Sequence, residues 1–346
     1  MNDRIYLIGP IDTDHVPTNG VTMKNQLFLK RFSELFSKVE YIDTWNINKK
    51  PWRIIEIFFA LMFKKSYRFI ISGGHSSRFI FKLLYKLKIS RNVYFWVAGG
   101  SIAEAIKEGL YEIEELNNLC YVLVQGRSMQ KELHQLGIKN ALYVPNSKPI
   151  IFVPELSTYN PPSKIRFVFL SRIHPDKGCD EILECARRLN ENGFEEKYEI
   201  SFFGSLFETY KESFMNQLKE LKNVKYEGFL NLTNVSGYCK LSSFDVMLFP
   251  SYWAGEGFPG VVIDAYIAGI PIIASDWNLN KEVVNDGKTG YIIKTKDVQL
   301  LYDAMLSFIK GEVNLKEMRE YCAKYAYNYD YRNVISERFM NSIGFN

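Results

Sequence analysis

The chain has 346 residues, 47% of them hydrophobic and 24% charged, with a net charge of +4. That length suits two domains of ordinary size, the composition can fill soluble cores, and so small a net charge gives no global reason to bind nucleic acid. The charge is uneven: residues 1–150 hold 21 Lys and Arg against 13 Asp and Glu, and the remainder 22 against 26. A basic first half suits an anionic surface or substrate.

The five cysteines, Cys120, Cys179, Cys185, Cys239 and Cys322, form no C-x-x-C pair. They point to reduced thiols in a cytoplasmic protein rather than a disulfide framework or a zinc site. The opening MNDRIYLIGP lacks the basic start and apolar run of a signal peptide. The longest apolar run, Ile54 to Phe63, contains Glu56 and falls short of the roughly 20 residues a bilayer span needs.

In chain order, Arg4–Gly9 reads as a buried parallel strand, followed by a polar loop and a helix from Gly20 through Phe36. Strand, glycine-bearing loop and helix open many nucleotide-handling α/β domains, but G-x-G-x-x-G is absent, which disfavours a nicotinamide site. Short apolar strands recur at Val39–Asp43, Arg68–Ser72, Val93–Gly99, Cys120–Gly126 and Ala141–Pro145. A proline-rich stretch over 148–164 reads as a linker. A second series follows at Ile165–Ser171, Tyr198–Gly204, Asn223–Gly228, Phe244–Pro250, Pro271–Ser275 and Gly290–Lys294. Strands alternating with helices predict two doubly wound parallel units, 1–147 and 165–325, with ligands at strand C-terminal ends in a cleft between them. Leu315 to Ile343 reads as helical.

Two stretches of the second half carry chemistry. The buried strand Phe244–Pro250 runs into a Gly-rich turn, Gly255-Glu256-Gly257-Phe258-Pro259-Gly260, and a helix over Val261–Ala268. Such a turn presents free N–H groups and a positive dipole end to an anion. Glu256 and Asp264 flank that position and could accept hydrogen bonds from hydroxyls, the layout needed to hold a nucleotide sugar. After Ile165–Ser171, Arg172 and Lys177 sit on the loop before a helix over Asp180–Leu189. Two cations there can neutralise a diphosphate without a metal. Breaking a sugar–diphosphate bond builds charge on the leaving oxygen, which Arg172, Lys177 and the N–H groups of Gly257 to Gly260 would stabilise. The bland alternative is an ordinary βαβ unit with two surface acids and a solvated cation pair. Asp12-Thr13-Asp14 matches the D-x-D metal signature, but a three-letter match in the first loop is a common accident.

SYWAGEGFPGVVIDAY resembles the E-x7-E region of retaining glycosyltransferases of family 4, with Asp264 in place of the second Glu and seven residues between the acids. Ser171-Arg172 to Lys177-Gly178 resembles that family's G-R-x4-K-G loop. The resemblance covers about Ile165 to Lys294 well and the first domain loosely. It implies a GT-B fold, two Rossmann-like domains with the last helix, about 326–346, crossing back to the first. It implies that Arg172 and Lys177 bind the donor diphosphate, Glu256 the donor sugar, Gly257, Phe258, Pro259 and Gly260 sugar or phosphate, and Asp264 the ribose. Phe229 and Leu230 fall where the family holds the nucleobase, and Gly20 matches its glycine loop near the donor phosphates. His75 and Gly99-Gly100-Ser101 end first-domain strands, so His75, Gly100 and Ser101 are expected on the acceptor side; a lone His is more often structural.

Between Lys49 and Arg91, eleven basic residues and the single acid Glu56 are interleaved with aromatic and aliphatic residues. That pattern suits anionic lipid headgroups; the alternative is an amphipathic helix with its apolar face in the core. The expectation is a retaining glycosyltransferase, metal-independent and cofactor-free, peripheral at the inner face of the cell membrane. It would move a sugar from a UDP-sugar to a lipid-linked or glycan acceptor in bacterial O-antigen or capsule synthesis, with no nucleic-acid partner. An inactive GT-B partner subunit and a GT-B sugar-nucleotide epimerase are the alternatives.

Overall fold

The structure is a computed structural model that describes residues 1–13, 20–73, 78–88 and 92–346. These fall into two compact units, Met1–Lys148 with Asp330–Asn346, and Pro149–Tyr329.

The first unit alternates β1 (Arg4–Gly9), α1 (Gly20–Leu35), β2 (Lys38–Asp43), α2 (Trp52–Phe63), β3 (Tyr67–Gly73), α3 (Arg78–Leu87), β4 (Val93–Val97), α4 (Ile102–Lys107), α5 (Ile113–Asn117), β5 (Tyr121–Val124), α6 (Arg127–Gln135) and β6 (Ala141–Tyr143). Its six strands lie in the order β2-β1-β3-β4-β5-β6, all parallel. Every residue of β4, VYFWV, is buried, as a strand covered on both faces requires. Right-handed crossovers put α1 on one face of the sheet, and α2, α3 and the later helices on the other, because β1 leads to β2 in one direction and β2 to β3 in the reverse.

The second unit runs β7 (Ile165–Leu170), α7 (Cys179–Glu191), β8 (Tyr198–Phe203), α8 (Glu208–Leu218), β9 (Val224–Gly228), α9 (Val235–Ser242), β10 (Val246–Phe249), α10 (Gly260–Ile267), β11 (Ile272–Ser275), α11 (Asn280–Val283), β12 (Gly290–Ile293), α12 (Val298–Ile309) and α13 (Leu315–Tyr325). Its sheet, β12-β11-β10-β7-β8-β9, is again parallel throughout. One of its cores joins Phe167, Phe169 and Ile200 of the sheet to Ile182, Leu183 and Ala186 of α7 and Met305 and Phe308 of α12. The proline-rich stretch packs on this unit rather than hanging free: Leu156 is buried, and the Tyr159 hydroxyl donates to Asp245 at 3.0 Å.

The C-terminal stretch is helical, but the crossover segment expected as one helix over about 326–346 is broken. After α13, a 3₁₀ turn (Ala326–Tyr329) leads into the short helices α14 (Tyr331–Val334) and α15 (Glu337–Ser342). Asp330 and Ser336 each cap a new start, accepting from the N–H of Arg332 and Phe339. A carboxylate or hydroxyl that bonds the backbone locally restarts a helix instead of continuing one. Val334, Ile335, Met340, Ile343 and Phe345 then join Phe28 and Phe32 of α1 and Trp96 of β4 in the first unit's core.

The 49–91 region likewise resolves into different environments. Tyr67 lies on β3 and is buried, as is Phe81, and Arg68 is tied to Asp3 at 2.7 Å. The apolar residues of α2 behave differently: only Ile57, Ala60 and Leu61 are buried. Among the described residues, no helix is long and apolar enough to cross a membrane.

Candidate active site

The site lies at the C-terminal ends of β7, β10 and β11 in the second unit. After β7, the Ile173 N–H donates to the Ser205 carbonyl at 2.9 Å and the Phe207 N–H to the Ile173 carbonyl at 3.0 Å, so the Arg172 loop is stitched to the end of β8. Gly204 makes that approach possible: at φ +143°, an added Cβ would fall 1.8 Å from the Ser171 oxygen. The His174 Nδ1 accepts the Asp176 N–H at 3.1 Å, capping the turn Pro175–Lys177. His174 therefore builds the loop, and its ring packs on Phe207 (4.5 Å) and Trp253 (5.0 Å). Gly178 closes the turn at φ +79°, with Pro250 at the end of β10 only 2.5 Å from where a Cβ would lie. A side chain there would push the Lys177 turn off β10.

That packing brings Lys177 and Glu256 together across 79 residues of sequence. The Lys177 Nζ forms an ion pair with Glu256 Oε2, and the buried Ser251 Oγ donates to the same oxygen at 3.1 Å. The pair is largely covered, its side chains 11% and 14% exposed. The Arg172 guanidinium and the Lys177 ammonium each approach the Trp253 ring, at 5.9 and 5.7 Å from its centre.

A second set of contacts fixes the turn that carries Glu256. Its N–H donates to the Trp253 carbonyl at 3.0 Å, and its own carbonyl accepts from Asn278 Nδ2 at 2.9 Å. Trp277 Nε1 donates to the Trp253 carbonyl at 2.8 Å. Ser275 Oγ donates to the Ser251 carbonyl, and Asn280 Nδ2 to the Ser275 carbonyl at 3.0 Å. The loop after β11 thus holds the loop after β10.

The turn leads through Gly257 and the buried Phe258 and Pro259 to Gly260, the first residue of α10. Phe258 is anchored edge-on against Tyr329 at 5.4 Å. The first-turn N–H groups of α10 precede its internal ladder and, with the helix dipole, attract an anion. Asp264, one turn on, is 4% exposed and accepts a 2.7 Å hydrogen bond from the Tyr238 hydroxyl. Burial, then the Asp264 charge, hold the Tyr238 phenol well above its usual pKa, so it stays a donor. Phe229 and Leu230 follow β9; Phe229 is 82% exposed, Leu230 half-buried, and the Gly204 N–H reaches the Gly228 carbonyl at 2.8 Å. The structure thus joins Lys177 and Glu256 directly, sets Arg172 against the same Trp253 ring as Lys177, and turns Asp264 toward the interior of the unit.

In the first unit, Gly20 starts α1 at the surface, where an added Cβ would meet nothing within 4 Å. Gly100 and Ser101 follow the end of β4 and are half-buried. His75, Asn19 and Asp14 lie outside the described residues; Asp12 is buried, and its N–H donates to Asp43 at 3.1 Å. One unforeseen group is Lys24 on α1. It is buried, donates to the Val97 carbonyl at 3.4 Å, and sits over Phe28 and Trp96. Burial alone lowers its pKa to about 7.

Sequence reasoning missed Ser251, Trp253, Trp277, Asn278 and Asn280. The signal available was position: all five follow the C-terminal ends of β10 and β11, where α/β sheets place their sites.

Two parallel Rossmann-like sheets, with a cation-bearing loop after β7 and an acid-bearing turn before α10, define the class as GT-B. Residues 157–329 match the family of glycosyl transferases group 1, and the chain belongs to that family. It is 28% identical over 165 residues to an uncharacterized 41.2 kDa protein in the cps region of Klebsiella pneumoniae, covering 48% of this chain and 42% of that one. It is 26% identical over 150 residues to the UDP-Gal:alpha-D-GlcNAc-diphosphoundecaprenol alpha-1,3-galactosyltransferase of Escherichia coli, covering 42% of this chain and 37% of the other. The chain thus spans less than half the length of these curated relatives. The fold is similar to that of Anabaena HepE in complex with UDP, with a TM-score of 0.74 at 13% identity over 98% of this chain and 99% of that one.

Proposed function

We propose that the protein is a retaining glycosyltransferase of family 4 that moves a sugar from a UDP-sugar to a lipid-linked or glycan acceptor in bacterial surface polysaccharide assembly, working at the inner face of the membrane. The observation that carries this reading is the Lys177–Glu256–Ser251 cluster beside the N-terminus of α10. A diphosphate seated on α10 would meet Lys177 and Arg172, which take up the charge that builds as the sugar–oxygen bond breaks. Lys177 is then shared between the phosphate and Glu256, and Glu256 is left to accept a hydroxyl of the donor sugar. Gly257, Phe258, Pro259 and Gly260 supply backbone N–H groups, except that proline has none. Asp264 takes the ribose, and Phe229 and Leu230 border the base. Gly20 is assigned to the donor phosphates, and Gly100 and Ser101 to the acceptor.

No nucleophile–base pair is needed if the leaving diphosphate takes the acceptor's proton as the acceptor attacks from the same face, which retains configuration. The two cations make a divalent metal dispensable in this scheme. The polysaccharide context is supported by the relatives from a cps region and from undecaprenyl-linked galactosyl transfer. The test is thermal stabilisation by UDP, GDP and ADP. A ligand at about 100 times its Kd adds ~2.7 kcal/mol. A rise with UDP that disappears in Lys177→Ala supports the donor site; an unchanged rise in that variant, or none with any nucleotide, overturns it. Incubation with donor and no acceptor separates transferase from epimerase, since only the latter interconverts the free nucleotide sugar.

A further inference from the structure

The helix α2, WRIIEIFFALMF, is apolar nearly all the way round. Such helices are normally buried on most sides. Here Ile57, Ala60 and Leu61 face the sheet, while Trp52, Ile54, Ile55, Phe58, Phe59 and Phe63 are exposed. Phe63 is 71% exposed and Ile55 59%. At 100° per residue, Trp52, Ile55, Phe59 and Phe63 form one stripe, and Ile54 and Phe58 widen it. Phe59 stacks on Phe63 at 5.7 Å, so the stripe is ordered as a surface. Contiguous patches of this kind mark interaction sites.

The charges around the stripe say what covers it. The one acid on α2, Glu56, is paired with Arg53 at 2.6 Å. Lys49 and Lys50 precede the helix and Lys65 follows it. On the same face of the sheet, α3 has no acid and shows Arg78, Lys82 and Lys86 to solvent, with Phe79, Tyr85 and Leu87 also exposed. An apolar ridge flanked by cations matches the boundary of an anionic bilayer, where acyl chains take the ridge and headgroups the cations; of the acids near it, Glu40 is paired with Lys38 and Lys64, and Glu114 on α5 accepts from the Tyr85 hydroxyl. A protein partner of ordinary composition would bring both signs of charge.

We infer that α2 lies in the plane of an anionic membrane and inserts its Trp52–Ile55–Phe59–Phe63 stripe into the acyl region, with the cations of α3 on the headgroups. This rests on the membrane-side reading above and adds the element that enters the bilayer. Apolar insertion is the main anchor and charge the selector. Binding therefore weakens with salt but survives it.

The experiment is flotation with phosphatidylcholine vesicles with and without phosphatidylglycerol, at low and high salt, alongside Trp52 emission read against a Trp52→Phe control. The wild type is expected to float with the anionic vesicles, with Trp52 emission shifted to the blue. Ile55→Ser/Phe59→Ser should lower partitioning at least ~10-fold, and Lys82→Glu/Lys86→Glu should remove the preference for phosphatidylglycerol. Both variants change exposed side chains, so unchanged melting temperatures and unchanged stabilisation by UDP report an intact fold and donor site separately. Partitioning unaffected by Ile55→Ser/Phe59→Ser overturns the inference. So does a concentration-dependent dimer in sedimentation that this variant abolishes, which would assign the stripe to a second copy of the chain.

Discussion

Lys177 and Glu256 serve two purposes that one pair of substitutions separates. In the free protein they neutralise each other with their side chains only 11% and 14% exposed. Lys177→Met keeps the length of the side chain and removes the charge, leaving Glu256 with the Ser251 hydroxyl. Breaking a buried pair costs ~3–5 kcal/mol; this pair keeps some access to water, so a cost of about 1–3 kcal/mol is expected. Adding Glu256→Gln removes the stranded charge, and most of that loss should return. Activity should not return. Losing one preorganised donor typically costs ~10²–10³ in rate, and the double variant lacks the hydroxyl-accepting carboxylate as well. The assay is urea unfolding of the wild type, both single variants and the double variant, paired with initial rates of transfer or donor hydrolysis. A double variant that regains both stability and activity would show that the pair is only a structural bridge and refute the catalytic assignment.

Other outcomes follow from the same geometry. Ser251→Ala removes a hydrogen bond to a charged group, ~1.5–3 kcal/mol by type, and should lower stability in urea unfolding by up to about that amount while reducing kcat/KM about tenfold. Tyr238→Phe strips the buried donor from Asp264 and should cost ~1–3 kcal/mol of stability, measured by chemical denaturation. Lys24, lowered by burial to about 7 from 10.5, binds its proton less tightly in the folded than in the unfolded chain. Stability should therefore rise with pH from about 7 toward 10.5, and Lys24→Met should flatten that slope in melting curves across the window. Asp276 accepts from the Thr295 hydroxyl and N–H and pairs with Lys281, which hold its carboxyl at about 2 rather than 3.8. Its contribution is present above pH 4 and lost as pH falls through about 2, a loss absent in Asp276→Asn.

The architecture was legible because a strand buried on both faces must be continuously apolar. VYFWV and VMLF are buried throughout, and each ends where a loop residue becomes polar or glycine or proline breaks the run. The positions of the cation loop and the acid turn were legible for a related reason, since each follows an apolar strand and carries glycine, and Gly178 marks a close approach to Pro250. The relay behind Glu256 was not. Asn278 reaches the Glu256 carbonyl from 22 residues away, and nothing in DWNLN announces that partner. The division of 326–346 into two short helices was not legible, because nothing in the sequence pattern singled out Asp330 and Ser336 as caps. The composition of 49–91 could not separate core from surface, because α2 is apolar on every side that matters and its environment is decided by which face the crossover turns to the sheet.

The most direct test of the central claim is a crystal structure of the protein with UDP. The diphosphate is expected at the N-terminus of α10, with an oxygen within hydrogen-bond reach of the Lys177 ammonium and the Arg172 guanidinium. UDP bound with its phosphates away from Lys177, leaving the Lys177–Glu256 pair closed, would contradict it.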